Sequence, residues 1–559
     1  MIKRHPKKNV VLKEPKNKAQ YVKLFKKGSE LHEKGQYQEA LLYLTTAWKY
    51  DDKDVNLLIR VADSLFNINK KSAAMELMAH ALQKNPSDPN IASILGNAAL
   101  KMEFFDLSLK FHQHCINLKP NDPVGYNNYA AALRENGQYD EAISFLQDIL
   151  PIFPQSEILW NTLGAVVAFR DGPGNAIVFY EECLKLNPDN HQALNNIAPA
   201  YDSIGQIEKA EKAARRAIKI KSDEKDPHIY LSSLLLNNKN MAEGWKEYHW
   251  RLIDSETIMT IKQHAVPLWN GECLKGKKIF IFGEQGIGDE ILFTWLFDDL
   301  IKESDQVGIA CEPRLVNLFK SSFPDAQVGR YEHKVVKKID LNFLDFPEFT
   351  INEFDYVCPA GSIPMHKWNE YTKVTTSSSP ILKPSNELIN NWSKRVNELP
   401  NDISIGISWR SGIRLAKRAR HYALLLDWAP ILDQKNINLI NLQYGDCEEE
   451  LDEFEQTTGI KIHNFKDLDL KDDFEATTAM MKSLDLVMGP GSAPLMQAKM
   501  AGVETWVFTS GKPWWAFGEE VPIWRQNAKV VTKNENEPWP EFMVEKAKDF
   551  KKWLKSRRK

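Results

Sequence analysis

Cysteine is scarce in this chain and poorly placed for cross-linking. Its six copies (Cys115, Cys183, Cys273, Cys311, Cys358 and Cys447) lie far apart and form no CxxC or other metal-ligand spacing. That argues against a disulfide framework or a zinc ribbon and fits reduced thiols in a cytoplasmic protein. No apolar run approaches the roughly 20 residues that a membrane-spanning helix needs. The first residues, MIKRHPKKNVVLKEPKNK, are basic, but no apolar segment follows them. They read as a solvated arm and not as a secretory signal. Charge of one sign is also missing. A formal net charge of −3 argues against a surface built for nucleic acid, and the basic tail KKWLKSRRK is too short to reverse that. At 559 residues the chain is too long for one core.

What the sequence does contain is a repeat. Pro86, Pro120, Pro154 and Pro188 stand 34 residues apart, and Asp52 and Ser222 keep the same register without the proline. Small residues recur in phase at Gly96, Ala130, Gly164 and Ala198, and again at Ala142, Ala176 and Ala210. Bulky residues such as Tyr126, Tyr129, Trp160, Leu163 and Tyr201 fill the intervals. The pattern is a helix–turn–helix unit: small residues let paired helices approach, bulky ones fill the gap, and proline closes the second helix. One such unit cannot bury its face alone, so copies stack into a solenoid. Period and pattern resemble tetratricopeptide repeats, in six units over residues 20–222. The stretch from Pro227 to Arg251 reads as a degenerate cap. Asn128 and Asn196 hold equivalent positions on first helices, where they could bond an extended peptide, but Thr162 between them interrupts an asparagine ladder. The array is either a structural stalk or a groove for a protein partner.

After Arg251 the period changes. KKIFIF, VGIAC, FDYVC, ISIGI, INLIN, LDLVM and ETWVF are short apolar runs alternating with amphipathic stretches. This predicts parallel strands with helices on both faces, and ligands at the strands' carboxyl ends. The polar stretch at 375–400 separates the strands into two groups and predicts two Rossmann-like lobes around a cleft. The domain reading is an arm (1–19), the solenoid with its cap (20–252), a first lobe (253–385), and a second lobe with a terminal helix (386–559).

Four loops could carry chemistry. Glu284-Gln285-Gly286-Ile287-Gly288-Asp289-Glu290 pairs a glycine turn with a helix start suited to an anion. Its acids could equally complement the helix dipole. Ser408-Trp409-Arg410-Ser411-Gly412, followed by Arg414, Lys417, Arg418 and Arg420, could clamp a diphosphate through charge-assisted bonds, or be merely solvated. Gly489-Pro490-Gly491-Ser492-Ala493-Pro494 allows close approach of a phosphate to the backbone, or is a structural turn. Trp514-Trp515 could stack on a base or sugar, or pack a core.

In order along the chain, EGWKEYHWR, PLWNGECLKGKKI, EQGIGDE, SWRSG with RARHY, INLQYG, DFEATTAMMKSLDLV and GSAPLMQAKMAG resemble the tetratricopeptide-repeat glycosyltransferases of bacteria. Their C-terminal module is similar to the ADP-heptose:lipopolysaccharide heptosyltransferases. The resemblance implies a metal-independent GT-B transferase, a nucleotide sugar as co-substrate and no other cofactor. It implies Asp289 as general base, and Gln285, Gly286, Gly288, Trp409, Arg410, Ser411, Arg418, Arg420, Gln443, Gly491, Ser492 and Ala493 around the donor. The acceptor would be a protein held by the repeats through Asn128 and Asn196. One departure stands out: related modules carry Asp-Thr-Ala…His where this chain has Gly491-Ser492-Ala493…Met496. A non-catalytic scaffold that keeps the fold is the alternative.

Overall fold

Aspartates set the helix starts of the repeat. In the computed structural model, Asp54 Oδ1 accepts from the backbone N–H of Asn56 (2.9 Å) and Leu57 (3.3 Å). Asp88 repeats this with Asn90 (2.9 Å) and Ile91 (3.4 Å), and Asp122 with Val124 (3.0 Å). Each satisfies orphan donors of the first turn, worth about 1 kcal/mol per cap. Pro89 and Pro123 follow at the first helical position, where a missing N–H costs nothing. The structure describes residues 18–253, 266–336, 341–371, 379–411, 422–522, 525, 527–534 and 537–558. The chain divides into two compact units, the boundary falling at Ala200 inside the helix His191–Ser203.

In the first unit, paired helices run from Lys18–Glu33 and Tyr37–Trp48 through Glu157–Asp171 and Ile177–Leu186. The small positions are where each pair crosses. A Cβ on Gly96 would press on the His112 ring (2.6 Å from Nε2), one on Gly164 on Tyr180 (2.6 Å from Cε1), and one on Gly28 on Leu44 (2.6 Å from Cγ). Alanine suffices at Ala62 and Ala130, whose counterparts at the facing position are Met78 and Leu146; all four are buried. Glycine therefore marks the pairs whose second helix presents a ring, or a leucine seated against the backbone.

The second unit begins with Ile207–Ile220 and continues with Lys225–Asn237 and Met241–Tyr248. The stretch expected as a degenerate cap keeps both small positions, as Ser232 and Gly244. Ser232 is fully buried, and a Cβ on Gly244 would lie 2.8 Å from Leu236 Cδ2. It is a regular pair in the same register.

Two parallel sheets follow. Strands β1 (Lys278–Phe282), β2 (Gln306–Cys311), β3 (Gln327–Arg330) and β4 (Tyr356–Pro359) form the first, in the order β3-β2-β1-β4. Strands β5 (Ile403–Ile407), β6 (Ile437–Asn441), β7 (Leu486–Pro490), β8 (Thr505–Thr509) and β9 (Ala528–Thr532) form the second, in the order β9-β8-β7-β5-β6. Ile281 sits beside Ile309 and Cys358, and Ile405 beside Leu439 and Leu486. Strands β5, β6 and β7 are buried along their whole length, as parallel strands covered on both faces must be. The polar 375–400 separator is only partly a linker: Asn386–Asn397 is an amphipathic helix that buries Trp392 and Val396 against Phe474–Met481. The last helix, Trp539–Arg557, buries Phe542, Met543, Phe550 and Leu554 in the core of the second sheet. Among the described residues no helix is long and apolar enough to cross a membrane.

His112 gives the repeat core a pH dependence. It is fully buried, neither ring nitrogen has a hydrogen-bond partner, and burial lowers its pKa to about 4. The unfolded chain then binds more protons than the folded one between pH 4 and 6.5, so stability falls as pH falls through that window. The cost is about 3 kcal/mol at the acid end. His112→Leu, which reproduces the Gly28–Leu44 pairing, should flatten thermal stability against pH over this range. An unchanged slope in scanning calorimetry would refute this account of His112.

Candidate functional site

Sheet topology selects the loops. In the first sheet the chain runs outward from β1 to β3 and then returns to the other side of β1, so the strand order reverses between β1 and β4. In the second it reverses between β5 and β7. A crevice opens at the carboxyl ends of strands at such switch points. The loops there are Gly283–Gly288 and Ala360–Ser362 in the first lobe, and Ser408–Ser411 and Gly491–Ala493 in the second. The helices that start beside them, Ile287–Phe293 and Ala493–Met500, pack on one another. A Cβ on Gly288 would lie 3.7 Å from Ala493 Cα. The two helix starts are thus in ordinary contact there, which brings the two loops predicted from sequence into one place.

The acids of EQGIGDE take separate roles. Glu284 is inside, its side chain 4% exposed and paired at 2.6 Å with Arg251, itself 6% exposed. Glu284 also accepts from Gly361 N–H (3.1 Å), and Arg251 donates to Ser362 Oγ (2.8 Å) and Tyr248 O (3.2 Å). Glu290 is buried under the sheet. It accepts from the Tyr331 hydroxyl (2.6 Å) and Glu312 N–H (2.9 Å), and a Cβ on Gly283 would overlap its carboxyl. Asp289 is a partly buried residue at the helix start. Burial and the nearby Glu284 carboxylate raise its pKa to about 6, and Arg251 opposes the shift. Gln285 links it to the rest. With the amide turned to satisfy every neighbour, Nε2 donates to Asp289 Oδ2 (3.3 Å), Oε1 accepts from Arg251 Nε (3.2 Å), and the Tyr248 hydroxyl lies within 3.2 Å of both ends. Gly286 is exposed at the N-cap.

In the second lobe several predicted donor residues are engaged within the protein. Trp409 is 2% exposed, and its Nε1 donates to Glu450 Oε2 (2.6 Å). Arg410 Nε pairs with Glu450 at 3.0 Å, and its Nη2 donates to Asp446 O (2.9 Å). Gln443 is 1% exposed. Its Oε1 accepts from Ser408 Oγ (3.2 Å), Trp409 N (3.1 Å) and Arg410 N (3.0 Å), and its Nε2 donates to Tyr444 O (3.1 Å). It shapes the Ser408–Ser411 loop from below. Ser411 is half-buried at the end of that loop. Arg418 and Arg420 lie outside the described residues, with Gly412, Arg414 and Lys417. Gly491 is exposed and Ser492 and Ala493 half-exposed. Ser492 is an N-cap without a side-chain capping bond, its Oγ near Pro490 O (3.3 Å). Gly489 is small for packing: a Cβ would overlap the Ser408 carbonyl.

Trp514 and Trp515 follow the packing alternative. Trp515 is buried with the Lys499 ammonium 3.9 Å from its ring centroid. Trp514 contacts Tyr248 (5.2 Å between centroids), Trp245 (5.9 Å) and Phe293 (6.1 Å). The same helix pair grips the following turn: Asn237 donates to Lys512 O (3.2 Å) and accepts from Gly518 N–H (3.2 Å). Gly518, at φ +75°, lies against the Asn237 carbonyl where a Cβ has no room.

On the repeats, polar pairs join neighbouring first helices. Asn128 Nδ2 donates to Ser93 Oγ (3.2 Å), Thr162 Oγ1 to Asn127 Oδ1 (2.5 Å), and Asn196 Nδ2 to Asn161 Oδ1 (3.1 Å). Thr162 takes part because its hydroxyl donates as the amides do.

Two residues near Asp289 were not singled out as site residues from sequence: Tyr248 and Arg251. Their signal was the spacing of three in Trp245, Tyr248 and Arg251, which places them on one helical face.

A tetratricopeptide-repeat family model matches residues 31–98, and a second matches residues 113–144 and 179–212. The N-terminal part of the chain is a tetratricopeptide-repeat array. The chain is also similar to protein FlbA of Caulobacter vibrioides, 29% identical over 364 residues, which is 64% of this chain and 60% of that protein. That alignment is longer than the 20–252 segment, so the likeness runs beyond the repeats. Among solved structures, a tetratricopeptide protein of Thermus thermophilus is 23% identical with a TM-score of 0.27, covering 33% of this chain and 99% of its own. One from Parabacteroides merdae is 16% identical with a TM-score of 0.30, covering 40% and 87%.

The buried Glu290 supplies a second pH signature. Burial raises its pKa to about 7. The folded chain therefore holds a proton that the unfolded chain loses, and stability declines as pH rises from about 4.5 through 7. Glu290→Gln, which keeps an acceptor for Glu312 N–H and a donor for Tyr331, should remove that decline. Parallel melting curves of variant and wild type from pH 5 to 8 would overturn the assignment.

Proposed function

We propose that this protein is a glycosyltransferase of GT-B type that moves a sugar from a nucleotide-sugar donor to a protein held by its repeat array. The observation that supports this reading most directly is the placement of Asp289. It is a partly buried carboxylate with a pKa near 6, where the switch-point loops of two parallel sheets meet. A hydroxyl of the acceptor gives its proton to Asp289 as its oxygen bonds to the anomeric carbon. The bond from that carbon to the donor phosphate breaks, and a nucleoside diphosphate leaves. A base of pKa near 6 is ionised at neutral pH and still able to take a proton. Exposed backbone at Gly491–Ala493 receives the donor phosphates, with the basic run through Arg418 and Arg420 as counter-charge. Arg410 joins them only by releasing Glu450. Asn128 and Asn196 hold the acceptor's backbone, and the reaction takes place in the cytoplasm.

The second reading is a scaffold that binds a ligand without turnover. The internal engagement of Arg410 and the lack of an acid or histidine at 491–496 favour it. A thermal-shift and turnover screen against UDP-, GDP-, ADP- and CMP-sugars separates the two. Transfer or donor hydrolysis is expected with one of them, falling about 100-fold or more in Asp289→Asn. Its kcat/KM should drop tenfold per pH unit below about pH 6. Full turnover in Asp289→Asn would remove Asp289 as the base, and no turnover with any donor class would favour the scaffold.

A further inference from the structure

We propose that the last helix pair of the repeat register is part of the Asp289 site, with Arg251 and Tyr248 acting as positioning residues through Glu284 and Gln285. This rests on the reading of Asp289 given above. The geometry for it is complete on one side of the carboxylate. Tyr248 closes the helix Met241–Tyr248, and Arg251 follows in the short turn His249–Leu252. The Arg251 guanidinium stacks on the Tyr248 ring (4.6 Å) and pairs with Glu284 at 2.6 Å. Its Nε lies 3.2 Å from the Gln285 carbonyl, whose amide nitrogen reaches Asp289 Oδ2 at 3.3 Å. Among the described residues, the α/β segment itself supplies no cation that balances Glu284. Without Arg251, two carboxylates would face each other across this loop.

Among the described residues, the charged and titratable groups around Asp289 are few. Glu284 and Glu290 belong to its own segment; Tyr248, His249 and Arg251 come from the helix pair. Burial and Glu284 raise the Asp289 pKa, and Arg251 lowers it. The helix that packs from the second lobe meets Gly288 through Ala493 and brings no charge to the contact.

Members of one ion pair therefore act on Asp289 with opposite signs. Arg251→Met and Glu284→Gln both break the same buried pair and should lower the melting temperature alike. Asp289 should titrate higher by about one pH unit in Arg251→Met and lower by a similar amount in Glu284→Gln. Tyr248→Phe, which removes only the hydroxyl, serves where either variant fails to fold, and should raise the midpoint by loosening Gln285. The measurement is 13C-carboxylate NMR of the full chain labelled at aspartate, with the Asp289 resonance assigned by its loss in Asp289→Asn. The same midpoints should reappear in the pH–rate profile of the active donor. Shifts of the same sign in both variants, or an unmoved midpoint in Tyr248→Phe, would overturn the inference whatever the enzyme does. Opposed NMR shifts without turnover on any donor would leave the network standing and remove the catalytic reading.

Discussion

The second unit depends on a buried charge that must be answered. Glu284 follows β1 almost without exposure, and Arg251 neutralises it. Such a pair is costly to bury and survives when its remaining hydrogen-bonding capacity is met; removing one partner typically costs about 3–5 kcal/mol. Here that capacity is met by Gly361 N–H, Ser362 Oγ and Tyr248 O. These partners come from the loop after β4 and from the end of the helix pair. One ion pair thus fixes both loops of the first switch point against the segment that precedes the sheet.

Aromatic packing extends the same anchor to the second lobe. Trp245, one turn before Tyr248, touches Trp368 of the first lobe and Trp514 and Phe517 of the second. These rings bury large areas with edge and tilted contacts, which favours a defined arrangement over a greasy one. Gly518 lies against Asn237 on the outer side. The helix pair is therefore a third wall of the α/β region, held by charge on one lobe and by rings on the other.

The repeat could be read from the chain because its period is written in residue types that do one job each. Proline and aspartate mark helix starts and ends, and glycine marks the closest crossings. The strands could be read because parallel strands buried on both faces are short continuous apolar runs. Which acid of EQGIGDE faces inward was not legible, since Glu284, Asp289 and Glu290 differ only in what surrounds them. The same holds for Gln443 and Arg410, whose partners Ser408 and Glu450 lie 35 and 40 residues away across the sheet. Side-chain periodicity reports which face a residue is on; it does not report whether a partner waits there.

The alternation of glycine and alanine at the helix crossings has a consequence for how such a chain can diversify. Gly96 fits His112 and Gly164 fits Tyr180, while Ala130 shares its pair with Leu146. A first helix from one repeat joined to a second helix from another would bring a methyl group against a ring, or leave a hole where a ring was. Duplication or exchange within this array is tolerated in whole helix pairs and penalised in halves. The 34-residue length is then the smallest piece that carries its own complement.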